Sequence, residues 1–139
     1  MDPAEGTASH AVLDALMVKF DHMMLPVSDA AASRDWYVDN LGFRIECENR
    51  QSGTVAIQDD NGFTIFLQKT AHSLSGEKCS LTIQVKDVDQ THRDLAAKGV
   101  AFRDAPKRYF WGYGAELLDP DGYLIRLWDE VSMREKGSA

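Results

Sequence analysis

Two side chains suited to acid–base and anion chemistry lie on strand-like segments near opposite ends of the chain. His22 falls within residues 18–27 and Arg126 within residues 123–128. A histidine can accept a proton from a carbon beside a carbonyl, and an arginine can stabilise the oxyanion that forms. The two residues could therefore act as a catalytic pair if the fold brings them together. A hydrogen-bonded histidine in the wall of a sheet is the alternative for His22.

Arg126 lies between two large apolar residues, Leu124 and Trp128, that project from the same side of the strand. Its planar guanidinium suits a carboxylate, phosphate or enolate, and the apolar neighbours would remove water from such a contact. The alternative is an internal ion pair with an acid such as Glu116 on the neighbouring strand. Both roles can hold together.

The segment at residues 107–111 reads Lys-Arg-Tyr-Phe-Trp, and Tyr113 follows shortly after it. Such a segment can stack on a flat ligand and meet a negative group, so we expect it to cover a binding site. Aromatic packing at a contact between two copies of the chain is the alternative.

An internal repeat indicates which elements position these residues. Asp-Asp-Asn-Gly-Phe-Thr-Ile-Phe-Leu-Gln at residues 59–68 aligns with Asp-Pro-Asp-Gly-Tyr-Leu-Ile-Arg-Leu-Trp at residues 119–128, an offset of 60. Each half predicts one helix among four strands, in the order βαβββ. The first half gives a strand at 18–27, a helix at 29–40 and strands at 43–49, 54–58 and 63–69. The second gives a strand at 79–85, a helix at 88–98, strands at 100–103, 111–118 and 123–128, and a loop at 105–110.

The alternation of the outer strands predicts two different sheet faces. One face is aliphatic and should pack under the helices; it carries Met23, Leu25, Val27, Ile65, Leu67, Leu81, Ile83, Val85, Ile125 and Leu127. The other face is mixed, and its large apolar members indicate a cavity rather than an open surface. The fold class is therefore α+β, with two paired βαβββ repeats. The predicted domain covers residues 18–131, with repeats at 18–69 and 79–131, a linker at 70–78, an N-terminal tail at 1–17, partly disordered and with a short helix at 10–17, and a C-terminal tail at 132–139.

Composition limits the partners that we expect. The chain has 139 residues and a net charge of −7, which disfavours nucleic acid and anionic membrane surfaces. No apolar run is long enough for a membrane helix, and the N-terminus lacks the basic and apolar regions of a signal peptide. Cys47 and Cys79 have no CxxC spacing and are expected to be free, buried thiols. Together these features favour a cytoplasmic protein.

Three segments resemble the vicinal oxygen chelate superfamily, which includes glyoxalase I, fosfomycin-resistance enzymes, extradiol dioxygenases and bleomycin-resistance proteins. They read FDHMMLPVSDAAASRDWYVDNLGF, LTIQVKDVDQTHRDLAAKGV and WGYGAELLDPDGYLIRLWDE. The resemblance implies that the repeats form a cup-shaped mixed sheet with the helices on its outer face, in a homodimer. It also places Trp111-Gly112 eight residues before the Asp-Pro turn, as in the bleomycin-resistance proteins.

The same resemblance identifies four corners of the cup, which hold a metal ion in the metal-using members. The corresponding residues here are His22, Phe66, Ser80 and Arg126. Only His22 is a good ligand, and Arg126 would place a positive charge where the cation sits. No metal or other cofactor is therefore expected. A rearranged site that joins His22 to Glu116, His72, His92 or Glu48 remains open.

The sequence thus predicts a protein that binds a small aromatic or anionic molecule in the cup without a metal, for sequestration or as a carrier. The alternatives are a lyase, isomerase or dioxygenase, which would use a displaced metal or the His22–Arg126 pair, and a partner-binding protein with a vestigial cup. The candidate ligand-binding residues are His22, Met24, Phe66, Gln68, Ser80, Thr82, Trp111, Tyr113, Glu116, Arg126 and Trp128.

Overall fold

The computed structural model describes residues 20–70 and 79–138. Polar capping residues define where its helices begin. Asp29 caps the first helix by accepting a hydrogen bond from the Ala32 amide, and Asp87 caps the second through Gln90. The first helix ends at Gly42, whose φ of 74° is a left-handed conformation that favours glycine. The predictions for residues 1–17 and for most of the linker lie outside the described residues.

Each half of the chain forms a four-stranded mixed sheet, which confirms the predicted pair of βαβββ units. The first sheet has the order β1-β4-β3-β2 and the second β5-β8-β7-β6; in each, the first and last strands of the unit pair in parallel and the other pairs are antiparallel. The elements of the first unit are β1 (His22–Val27), α1 (Ala30–Leu41), β2 (Arg44–Asn49), β3 (Thr54–Gln58) and β4 (Thr64–Lys69). Those of the second are β5 (Ser80–Gln84), α2 (Val88–Ala97), β6 (Lys107–Tyr109), β7 (Gly112–Leu118), β8 (Leu124–Trp128) and a further helix, α3 (Glu130–Lys136).

The core lies between the aliphatic sheet faces and the helices, as the alternation predicts. Leu25, Leu67, Ile125 and Leu127 are at most 1% exposed, and β1, β4 and β8 each contribute to this layer. Burial of these side chains stabilises the fold by roughly 1.5–3 kcal/mol each. Because the aliphatic faces are buried, only the opposite faces of the two sheets are available for a ligand site. None of the described helices has the length and hydropathy needed to cross a bilayer.

Several features differ from the prediction, including β6, which lies within the predicted loop at 105–110. Residues 100–103 do not form a strand; Phe102 makes an isolated bridge to Leu117, and β6 begins only at Lys107. Pro106 lacks an amide hydrogen and separates the two segments, so pairing resumes after it as a hairpin with β7. The expected C-terminal tail contains α3, which Asp129 caps through the Ser132 amide. The cysteines are free as expected, but neither is fully buried: Cys47 is exposed on the edge strand β2, and Cys79 is only partly buried.

The turn that precedes β8 ties the two units together. The Tyr37 hydroxyl on α1 donates to Asp119 at 2.7 Å, and the Tyr123 hydroxyl donates to the Pro26 carbonyl at 2.7 Å. The Asp119 carboxylate also accepts the amides of Asp121 and Tyr123. Burial raises the pKa of Asp119 even though these hydrogen bonds oppose the shift. A buried acid with several donors therefore holds this turn, and its hydrogen bond from Tyr37 is one of the polar links between the repeats.

Replacing Tyr37 with phenylalanine should destabilise the protein more than the same change at Tyr123. The first substitution leaves a buried carboxylate short of one donor, which costs about 1.5–3 kcal/mol, whereas the second removes a bond to a neutral carbonyl, worth about 0.5–1.5 kcal/mol. Urea unfolding of both variants checks this order. Equal losses, or a larger loss for Tyr123→Phe, would show that Asp119 does not carry the link between the units.

Candidate functional site

Glu116 is the centre of the polar arrangement on the open face of the second sheet. It lies on β7 directly opposite Arg126 on β8 and is only 6% exposed. One carboxylate oxygen accepts hydrogen bonds from Arg126 Nε and from Trp111 Nε1, each at 3.1 Å, and the other lies 3.7 Å from the Arg103 guanidinium. A buried carboxylate needs such donors to remain charged, so Glu116 fixes both Arg126 and Trp111.

Two glycines of β7 leave room for this arrangement. A Cβ atom on Gly114 would lie 2.6 Å from the Trp111 ring, and one on Gly112 would clash with the sulfur of Met133. The indole therefore lies against bare backbone, and its other contacts include Tyr109, stacked at 5.3 Å with nearly parallel rings. The glycines are needed because a side chain at either position would displace Trp111 or Met133.

A cavity of about 430 Å³ opens beside Arg126. Its walls come from β5, β8, the turn before β7 and α3, and they are formed by Thr82, Trp111, Arg126, Trp128 and Met133. The guanidinium carbon lies 5.3 Å from the centre of the Phe110 ring and 5.7 Å from that of Trp111. Cation–π contact of this kind holds the charge of Arg126 at the mouth of the cavity.

Hydrogen bonds and an ion pair hold helix α3 at its two ends, which places Met133 in the cavity wall. At its start, Asp129 accepts the Ser132 and Val88 amides, each at 2.7 Å. Near its end, Lys136 pairs with Asp89 at 3.3 Å. Burial alone would raise the pKa of Asp129, but these backbone hydrogen bonds outweigh it and hold the pKa below its ordinary value of 3.8.

None of the described residues of the first repeat lines this cavity. His22 forms a hydrogen bond with Asp21 at 2.8 Å and packs edge-on against Phe66 at 4.8 Å. Met24 is 55% exposed beside them, and Gln68 accepts from the Thr54 hydroxyl at 2.7 Å. No hydrogen bond or ring contact found in the described part of the chain joins His22 to Arg126. The contacts of His22 are thus with Asp21 and Phe66, and those of Arg126 are with Glu116, Phe110 and Trp111.

Two further candidates in the second repeat lie away from the cavity. Ser80 is exposed at the start of β5, opposite Leu124. Tyr113 projects to the other side of β7, where its hydroxyl donates to Asp89 at 2.8 Å. Because side chains alternate along a strand, Tyr113 cannot share the face of Glu116. Its expected position over the ligand site is therefore wrong, and it supports α2 and α3 instead.

The donors considered for a rearranged metal site are dispersed. Glu116 is engaged by Arg126 and Trp111, Glu48 pairs with Arg34, and His92 packs against Phe102 at 4.6 Å. His72 lies outside the described residues. Within residues 20–70 and 79–138, no three His, Cys, Asp or Glu side chains are grouped so that they could hold a metal ion.

Sequence reasoning missed Met133 and Arg103, which lie beside the predicted candidates. Met133 belongs to a segment with helix signals, since Asp129 can act as an N-cap, Glu130 lies in the first turn and Lys136 in the last. Those signals could have identified α3. No sequence pattern comparable to these helix signals indicates a role for Arg103. Its position near Glu116 depends on the path of the chain before β6.

Comparison with known proteins places the chain in a defined group. A family model described as Glyoxalase/Bleomycin resistance protein/Dioxygenase superfamily matches residues 19–127. The uncharacterized protein YraH of Bacillus subtilis (strain 168) is 29% identical, with 80% of this chain and 98% of YraH covered.

Solved structures agree with this fold. TnmS3, an antibiotic binding protein from Streptomyces sp. CB03234, is 26% identical with a TM-score of 0.68, and the match covers 81% of this chain and 97% of TnmS3. A possible glyoxalase from Bacillus cereus, 19% identical with a TM-score of 0.68 and coverages of 79% and 97%, supports the fold alone.

Replacing Asp129 with asparagine should loosen α3 in a pH-dependent way. The ionised carboxylate stabilises the folded state fully above its ordinary pKa of 3.8, and this contribution is lost as the pH falls through the lowered folded value. The variant should therefore be about 1–2 kcal/mol less stable than the wild type at pH 7. Urea unfolding at several pH values should show the two proteins converging below pH 3.8. A difference that stays constant with pH would contradict this role for Asp129.

Proposed function

The chain belongs to the Glyoxalase/Bleomycin resistance protein/Dioxygenase superfamily, and on that premise we propose that it binds a small aromatic or anionic molecule without a metal. The site is the cavity on the open face of the second sheet, and the role is sequestration or transport of the bound molecule. The observation that carries the proposal is a cavity that combines two tryptophans and a methionine with one arginine.

The chemistry of the cavity supports binding of a small organic molecule. Its volume of about 430 Å³ falls within the range of small-molecule sites. Trp111, Trp128 and Met133 supply a large apolar contact area, while Arg126 supplies a directional polar contact. A rigid site of this kind loses little entropy when a ligand binds, because Glu116 already holds two of its side chains in place.

The side chains at the four corners support the metal-free part of the proposal. Arg126 carries a fixed positive charge, Phe66 cannot act as a ligand, and Ser80 is a poor neutral donor. The carboxylate paired with the Arg126 corner, Glu116, already accepts from Arg126 and Trp111. A divalent cation would have to displace both donors from a buried group, so the residues present do not fit a metal at this place.

TnmS3 is described as an antibiotic binding protein, and its likeness to this chain favours sequestration over catalysis. An enzyme of the superfamily is less well supported, because acid–base chemistry needs a titratable group at the ligand. Among the described residues, the cavity walls contain no histidine and no carboxylate, and Glu116 behind them is already paired with Arg126. His22, the expected base, is bound to Asp21 and Phe66 on the other sheet.

The proposal includes a homodimer in the cytoplasm. On the open face of the first sheet, Met24 and Phe66 form an apolar stripe, and Met24 is 55% exposed. Apolar side chains in such a row are stabilised when a second surface covers them. A second copy of the chain is the partner that the proposal assigns to this face.

The proposed site can be tested with 8-anilinonaphthalene-1-sulfonate, a fluorescent aromatic anion. In a Trp36→Phe background the remaining tryptophans, Trp111 and Trp128, both line the cavity. We expect saturable energy transfer from these tryptophans to the dye. Thr82→Tyr, which fills the cavity from β5, should weaken binding by about tenfold or more because the cavity wall cannot yield.

The matched control is Gln51→Tyr, which adds the same ring to an exposed turn in the first repeat. Binding should be unchanged in this variant. Absence of energy transfer, or equal binding by both tyrosine variants, would contradict the placement of the site.

A further inference from the structure

Three charged side chains beside the cavity leave one positive charge uncompensated. Glu116 lies between Arg126, at 3.1 Å, and Arg103, at 3.7 Å. Two guanidinium groups thus share a single carboxylate. The nearby Lys107 is already paired with Asp104 at 2.9 Å, so it does not change this balance. The Arg126 side chain is 23% exposed, so solvent screens its charge less than it screens that of Arg103, which is 54% exposed.

The hydrogen-bonding capacity of Arg126 is only partly used. Within the described residues its hydrogen bond to Glu116 comes from Nε, which leaves both terminal nitrogens without a described hydrogen bond. Those nitrogens form the outer edge of a guanidinium that itself lines the cavity. A planar group with two acceptor oxygens could therefore bind there in a bidentate manner.

Aromatic surface surrounds the same position. Trp111 and Trp128 are walls of the cavity, and the Phe110 ring lies 5.3 Å from the Arg126 guanidinium carbon while remaining 91% exposed. An aromatic ring held in water beside a cation provides a stacking surface that a flat ligand would cover. The unused nitrogens and the exposed ring meet at one edge of the cavity.

From these observations, and resting on the proposed binding function, we infer that the site selects a planar aromatic molecule with a single negative charge. The anionic group binds to the terminal nitrogens of Arg126, and the ring lies against the tryptophans. Arg103, which is outside the cavity, sets this preference by balancing Glu116 and so leaving the charge of Arg126 for the ligand.

The inference predicts an order of affinities for three compounds of the same size. Isothermal titration calorimetry would compare 2-naphthoate, 2-naphthylmethanol and 2-naphthylmethylammonium. The anion should bind about tenfold or more tightly than the neutral alcohol, because it forms charge-assisted hydrogen bonds. The cation should bind more weakly than the alcohol, because the excess positive charge repels it.

Two substitutions test the origin of the preference. Arg103→Gln should reduce the ratio of anion to alcohol affinity about threefold and leave binding of the alcohol unchanged, because the residue lies outside the cavity and is screened in part. Glu116→Gln should increase affinity for the anion about threefold or more, since it keeps an acceptor for Trp111 and Arg126 but removes the competing negative charge.

Arg93→Gln is the matched control, because it removes the same charge from an exposed position on α2. It should leave all three affinities unchanged, and thermal melting would confirm that each variant is folded. Equal binding of the three compounds would overturn the charge preference while the binding function stands. An Arg103→Gln protein with an unchanged ratio, or a folded Glu116→Gln protein with weaker anion binding, would overturn the role of the charge array. If none of the compounds binds, both the inference and the proposed function fail.

Discussion

The hydrogen bonds to Glu116 are the interaction on which the candidate site depends. A carboxylate that is 6% exposed would be strongly destabilising without donors. Its partners are Arg126 on the neighbouring strand and the indole of Trp111. One buried charge therefore fixes both Arg126 and one of the tryptophans of the cavity wall. The glycine at position 114 allows this, because the indole occupies the space that a side chain there would take. The site is thus preorganised by its own sheet.

The two repeats carry different side chains on a common framework. In the second, the position of Arg126 gives a charged, aromatic cavity that α3 completes through Met133. In the first, the equivalent position is Phe66, which packs against His22 and leaves an apolar stripe. The units are joined by polar contacts of Tyr37 and Tyr123 rather than by residues of the cavity. The residues that line the cavity are therefore different from those that join the repeats.

Much of this arrangement could be predicted from the sequence. The repeat and the alternation of apolar residues gave the sheets and their buried faces, because both depend on local periodicity. The sequence left two roles open for Arg126, an ion pair with Glu116 and contact with a ligand. The structure shows the ion pair, and it also shows that Arg126 lines the cavity. The side of the sheet on which Tyr113 lies could also have been predicted. Its position differs from that of Glu116 by three, an odd number, so the two side chains lie on opposite faces of the strand.

Other features could not be predicted, for identifiable reasons. Whether His22 and Arg126 share a cavity depends on how two separate sheets are placed, and no local pattern encodes that. Helix α3 has few apolar residues, so its periodicity is weak, and it is held by the buried Asp129 and by Asp89, which are tertiary contacts. Arg103 reaches Glu116 because the short segment before β6 lies beside β7, where the Arg103 amide donates to the Glu116 carbonyl at 3.0 Å.

Native mass spectrometry of the protein taken directly from cells tests the central claim most directly, because it reports assembly, metal and bound small molecules together. We expect a dimer that carries a small organic molecule and no metal. This molecule should be lost when Thr82 is replaced by tyrosine. A chain that carries one divalent metal ion, lost when His22 is replaced by alanine, would contradict it.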